Sequence, residues 1–131
     1  MKRFLNILIL SLATLFFVLY FSMPCKATAT QLNWTEVNPS APLFPREDNP
    51  GVYYNGYVWT FGGSHAGYAD MNDVWSTLNG VDWVENTGNA AWSGRYGHVA
   101  VVFNNRMWIY AGSAGSQGQR DVWSSINGVD W

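Results

Sequence analysis

Cysteine is nearly absent. The one copy, Cys25, stands just after an N-terminal apolar run, and lysine occurs only at Lys2 and Lys26. Past residue 29 there is no thiol to form a disulfide, attack a substrate or bind a metal. The same stretch holds four cations, Arg46, Arg95, Arg106 and Arg120, against all nine carboxylates, leaving a net charge of −5. That balance argues against nucleic acid or an anionic membrane surface as a partner, because both need clustered Lys and Arg. No segment past residue 29 carries a helical apolar period. No P-loop, dinucleotide fingerprint or nucleophile elbow is present, and no two histidines stand at metal-ligand spacing. What is plentiful is tryptophan, with eight copies, all beyond residue 29. So many aromatics among so few charges fit a β-rich packed fold and argue against disorder.

The N-terminus reads as a secretory signal peptide. Lys2 and Arg3 precede an apolar run from Phe4 to Met23, then Pro24 and the small-x-small site Ala27-Thr28-Ala29. Cleavage is expected after Ala29, placing the protein outside the cell or in a periplasm. The run approaches the ~20 residues that span a bilayer, so an uncleaved N-terminal membrane anchor is the alternative. Lipid attachment at Cys25 is not expected, since Pro24 and Ser22 do not suit it.

Residues 30–131 are internally repetitive. Asp73-Val74-Trp75-Ser76 returns as Asp121-Val122-Trp123-Ser124, and Asn79–Trp83 (NGVDW) returns as Asn127–Trp131, both at an offset of 48. Upstream the offset is 49: Arg46 matches Arg95, Asn55 matches Asn104, Trp59 matches Trp108 and Gly63 matches Gly112. Earlier still, Asn33–Glu36 matches Asp82–Glu85. The reading is a lone fourth strand in 30–38, a first unit in 46–86 and a second in 95–131. Each unit predicts four short strands: Val52–Tyr54, Tyr57–Phe61, Asp73–Leu78 and Trp83–Glu85, then Val99–Phe103, Arg106–Ala111, Asp121–Ile126 and a fourth opening at Trp131. Asn55-Gly56 and Asn104-Asn105 suit two-residue hairpins, which need positive φ. The all-apolar Val99–Phe103 predicts an inner strand covered on both faces. Residues 112–119 predict a loop.

Four antiparallel strands in a repeat of this length suggest a β-propeller blade. The pattern resembles the Kelch repeat, in its bacterial galactose-oxidase-like branch. The residues carrying the resemblance are Arg95-Tyr96-Gly97-His98, the Gly62-Gly63 pair (Ala111-Gly112 in the second unit), Asp-Val-Trp and the closing Trp. It covers about residues 33–131. The first unit departs, with Arg46-Glu47-Asp48-Asn49 in place of Arg-Tyr-Gly-His. The resemblance implies an all-β fold of four-stranded antiparallel blades, about two of them present. Propellers close with 4–8 blades, so the expectation is an N-terminal fragment whose further C-terminal blades complete the ring. Assembly of several copies into one ring is the alternative. The copper chemistry of galactose oxidase needs a Cys–Tyr cross-link, which no residue beyond 29 can supply. No cofactor or metal is expected.

The recurring residues have structural explanations. Gly62, Gly63 and Gly112 allow close backbone approach. Trp75 and Trp123, and Trp34, Trp83 and Trp131, are large enough to fill gaps between neighbouring sheets. Asp73 and Asp121 are expected to cap turns with backbone hydrogen bonds. Meander parity puts Ser64–Asn72 and Ser113–Arg120 at the same end as the links between units, where function tends to sit. Candidate ligand residues there are Arg46, Arg95, His98, His65, Tyr68 and Arg120, with Asp70 and Gln117 beside them. For Arg46 and Arg95 the alternatives are hydrogen bonding to loop carbonyls or a guanidinium ring suited to a sugar acid. His98 is expected to be a satisfied motif histidine. His65, Tyr68 and Asp70 do not recur. Asp70, Asn72 and Asp73 have the two-residue spacing of calcium loops without the rest of one. Three functions fit: a module binding a glycan or protein, a periplasmic sugar-acid (sialic-acid-type) epimerase or mutarotase, and a surface spacer without a ligand.

Overall fold

The structure, a computed structural model, describes residues 33–131. The signal peptide, its cleavage site and the residues up to Gln31-Leu32 lie outside the described residues. Asn33 and Trp34 close an N-terminal unit, residues 1–34, and the sheets belong to a second unit, Thr35–Trp131. Among the described residues there is no helix. The architecture is all-β, as composition and period imply.

The first sheet is a four-stranded antiparallel meander: β1 (Gly51–Tyr54), β2 (Tyr57–Gly63), β3 (Met71–Thr77) and β4 (Trp83–Thr87), in that spatial order. The second contains β5 (Val99–Phe103), β6 (Arg106–Tyr110) and β9 (Val122–Ser125), joined in the order β5-β6-β9. The boundaries match the sequence reading to within about two residues. The loop expected at 112–119 instead folds as a small hairpin, β7 (Ser113–Ala114) with β8 (Gln117–Gly118). Asn55, Asn104 and Asn105 all have positive φ, as their hairpins require.

The repeated NGVDW is a turn closed by its own side chains. Asn79 Oδ1 accepts from the amides of Val81 and Asp82, both at 2.9 Å, while its Nδ2 donates to Asp82 at 2.9 Å. The hydroxyl of Thr77 accepts from the Gly80 amide at 3.0 Å, and Trp83 Nε1 donates to the Gly80 carbonyl at 3.3 Å. Asn127, Ser125 and Trp131 repeat every one of these bonds in the second unit. The motif recurs because each corner needs the same bonds.

The lone fourth strand expected in 30–38 does not form over residues 33–38. A strand exists only through a partner's ladder. Here Asn38 clamps the segment to the Val81 carbonyl through Nδ2, at 2.7 Å. Trp34 is exposed.

Packing follows from the ladder register. Val52 faces Trp59, Tyr54 faces Tyr57, Trp59 faces Ser76 and Phe61 faces Val74, so all lie on one face of the first sheet. That face meets Met107, Ile109 and Ser125 of the second sheet, which are fully buried. Trp131 wedges into this core edge-on to Phe61, with ring centroids 5.6 Å apart. Trp75, Trp83 and Trp123 are only half-buried. The second sheet's outer face is exposed, and β5 lacks the two-sided cover that the sequence predicts: four of its five residues are exposed and only Ala100, which packs on the core, is half-buried.

The glycine pair ending β2 is required by geometry. Gly62 has φ +49, and a Cβ there would lie 2.7 Å from the Met71 carbonyl oxygen and 2.9 Å from that of Arg95. Its counterpart Ala111 adopts the same left-handed backbone, at φ 62. For an L-residue with a Cβ this costs about 1–2 kcal/mol. Ala111→Gly is therefore expected to raise stability by about 0.5–1 kcal/mol, read as a higher urea midpoint with an unchanged slope.

Candidate functional site

The link between the sheets, residues 88–98, builds the loop-rich end. Asn72 pins it by donating from Nδ2 to the carbonyls of Ala90 and Trp92, at 3.0 and 3.2 Å. The Arg95 amide donates to the Met71 carbonyl at 3.0 Å, and the Arg95 carbonyl accepts from the Gly63 amide at 2.9 Å. Arg95 is thereby stitched to the first sheet by its backbone.

Its side chain serves the second sheet. Arg95 is fully buried beneath Trp92, with the guanidinium carbon 5.9 Å from the ring centroid. It donates to both oxygens of Asp121, at 2.7 and 2.8 Å. It also donates to the carbonyls of Ser93 and Ala111 and to the Ser93 hydroxyl. All five N–H donors are spent. Arg46 repeats the arrangement, bonding both Asp73 oxygens at 2.8 and 2.9 Å and the carbonyls of Gly62 and Phe44. In both units the aspartate also accepts from a tryptophan Nε1, of Trp75 or Trp123, at 2.7 Å.

These contacts correct one expectation and decide between two others. Asp73 and Asp121 hold arginines and tryptophans; turn amides are not their partners. Of the two alternatives for Arg46 and Arg95, hydrogen bonding to loop carbonyls is the one seen. The Arg95 hydrogen bonds hold the Asp121 carboxyl down to about 2, Trp123 adding to the effect.

His98 is buried too, but neither ring nitrogen has a hydrogen-bond partner among the described residues, and the same holds for Trp92 Nε1. The satisfied histidine read from the sequence is thus an orphan, its ring 6.1 Å from that of Trp92. Burial, with the Arg95 charge adding, lowers its pKa to about 4. His98 is therefore neutral at physiological pH and faces no solvent.

The outward candidates come together elsewhere. His65 and Tyr68 meet edge to face, centroids 4.6 Å apart, and Phe44 stands edge-on to His65 at 6.4 Å. With Ala69 and Met71 they line a pocket of about 370 Å³. A second pocket of about 290 Å³ shares His65 and is lined by Pro45, Arg46, Glu47, Ser64 and Ala66. His65 Nδ1 lies 2.6 Å from the Pro45 carbonyl. A carbonyl only accepts, so Nδ1 carries the proton and Nε2 keeps a lone pair when the ring is neutral. Phe44 and Tyr68 are largely exposed. Sequence reasoning missed Phe44; its signal was an aromatic two residues before Arg46 where the second unit has Ser93.

The other candidates stay apart from this cluster. Asp70 accepts from the Gly115 amide at 2.6 Å, tying the loop to the tip of the β7–β8 hairpin. Asn72 and Asp73 bond in other directions, so the calcium-like spacing gathers no ligand set. Among the described residues, no three His, Cys, Asp or Glu side chains converge at metal-binding range. Arg120 and Gln117 are exposed on the loop-rich face.

Two outcomes follow. Arg95→Leu is expected to cost about 3 kcal/mol, the low end for a broken buried pair because Asp121 stays 38% exposed; urea denaturation reads it. His98 gives a pH dependence. Below pH 6.5 the unfolded imidazole takes a proton that the folded one refuses until about pH 4. Stability therefore falls through that window, by about 3 kcal/mol in all. The Asp121 contribution persists lower, disappearing only between pH 3.8 and about 2. Thermal melts across pH 4–6.5 should show the decline, and His98→Leu should flatten it.

No protein-family model and no curated protein matches the chain.

Proposed function

We propose that residues 33–131 belong to a secreted Kelch-like β-propeller acting as a binding module, with the aromatic pocket of Phe44, His65 and Tyr68 as its ligand seat. Two stacked antiparallel sheets related by a sequence repeat support the propeller reading, the second supplying three strands of a blade. The observation that carries the binding reading is the convergence of non-recurring aromatics at the loop-rich end. Packing residues recur in both units because both sheets need them. His65, Tyr68 and Phe44 do not recur, and they leave apolar surface open to solvent.

The pocket suits the apolar face of a neutral sugar or an aromatic side chain on a protein. Exposed rings of Tyr68 and Phe44 offer flat apolar area, and the Tyr68 hydroxyl and His65 Nε2 supply polar contacts at its rim. The pocket's walls carry no cation, which favours a neutral ligand over a sugar acid. The epimerase reading required Arg46 and Arg95 to orient a carboxylate; Arg95 spends all five donors inward and Arg46 four of its five. The spacer reading has no use for an open aromatic pocket.

Titration with a panel of neutral and acidic glycans tests this reading. A saturable signal from a neutral glycan is expected, weakened about tenfold or more by Tyr68→Ala with the fold retained by circular dichroism. Absence of saturable binding across the panel and across aromatic-rich peptides would sink the proposal. Anomer interconversion seen by NMR would return the enzymatic reading to first place.

A further inference from the structure

The second sheet's outer face repeats most of a face that the first sheet buries, with Arg106 where the first sheet has Tyr57. Phe61 is 0% exposed and its counterpart Tyr110 is 38% exposed; Val74 is 0% and Val122 62%; Tyr54 is 8% and Phe103 69%. Val101 and Trp108 lie on the same outer face, since the ladder pairs one with the other. The opposite relation holds for the first sheet's far face. Met107 is fully buried in the second sheet, while its counterpart Val58 is 45% exposed, with Tyr53 beside it at 70%. Thr60 and Thr77 form the already covered floor of that face. The chain contains one complete face-to-face interface and, on its two outer surfaces, the two halves of another.

The interface already made supplies the template. Trp59 packs so closely on Gly128 that a side chain there would collide with the indole. Trp131 stands edge-on to Phe61. At the matching glycine, Gly80, the same space holds only the tip of Val37, 4.0 Å away. The repeat therefore sets Trp108 opposite a Gly80, and Tyr110 opposite a Trp83, of another molecule. Neither contact is possible within one chain, because the two halves lie on opposite sides of the sheet pair.

We propose that a second copy of this chain packs its Val58, Tyr53 and Gly80 face onto the Val101, Phe103, Tyr110 and Val122 face, head to tail. The occupant is a second copy because the chain's own first sheet carries the counterpart of the surface that already fits such a face. The association is heterologous, so it continues copy by copy until the rotation closes a ring. This inference rests on the sheet packing and is independent of any ligand at the aromatic pocket.

Sedimentation velocity tests it, on the whole chain over a concentration series. Wild type is expected to shift to multiples of the protomer mass. Tyr110→Asp/Val122→Asp removes one half of the contact and Val58→Asp the other, and each variant alone should fail to build beyond the protomer. Mixing the two leaves one intact face on each, so a 1:1 dimer that grows no further is expected. Circular dichroism and tryptophan emission confirm that each variant stays folded. A wild type that remains monomeric at about 100 µM overturns the proposal. So does association that survives in both variants, as joining through the apolar N-terminal run would. A mixture that gives no 1:1 dimer also overturns it.

Discussion

The buried Arg95–Asp121 pair holds the two sheets in one structure. Through its amide and carbonyl, Arg95 belongs to the first sheet, bonded to Met71 and Gly63. Through its guanidinium it belongs to the second, bonded to Asp121 and Ala111. A residue that must satisfy five donors at once fixes the position of every element around it. Gly62 is hemmed in by the carbonyls of Met71 and Arg95, and the buried Trp92 lies over the guanidinium. Arg46 and Asp73 form the same node one unit earlier. With Arg95 enclosed and Asp121 38% exposed, the pair is a specifying device more than a source of net stability, since desolvation of the guanidinium offsets much of its attraction.

This arrangement explains which parts of the sequence could be read directly. Hairpin asparagines and alternating apolar residues act locally, and they place the strands to within about two residues. The repeat offset identifies which residues pack. The partners of Arg46 and Arg95 were hidden because they lie 26 or 27 positions away, and a carboxylate near a turn has a plausible local use as well. For His98, its place in the Arg95-Tyr96-Gly97-His98 motif pointed to a structural role, but whether its nitrogens were satisfied depended on the three-dimensional surroundings. The β7–β8 hairpin was read as a loop because Gly, Ser and Gln carry little strand preference.

The candidate site was half legible. Non-recurrence separated His65 and Tyr68 from the packing residues, and they do meet. Phe44 went unnoticed because it precedes the first recurring motif, where the contrast with Ser93 of the second unit is the one signal. Arg46, Arg95 and His98 attracted attention as charged or titratable residues near the loop-rich end. Nearness to that end did not reveal which way they pointed. The same motif chemistry that suits a ligand also suits the interior, and burial decided for the interior.

The NGVDW corners have a consequence for how the chain assembles. Every bond within such a corner spans six positions or fewer, from the hydroxyl of Thr77 or Ser125 to the closing indole. Loop closure on that scale takes well under a microsecond, far faster than a ribosome adds a residue. Each corner can therefore set its own geometry on the nascent chain before any neighbouring sheet exists. Long-range sheet stacking, the slow step in β topologies, then starts from chain reversals that are already made.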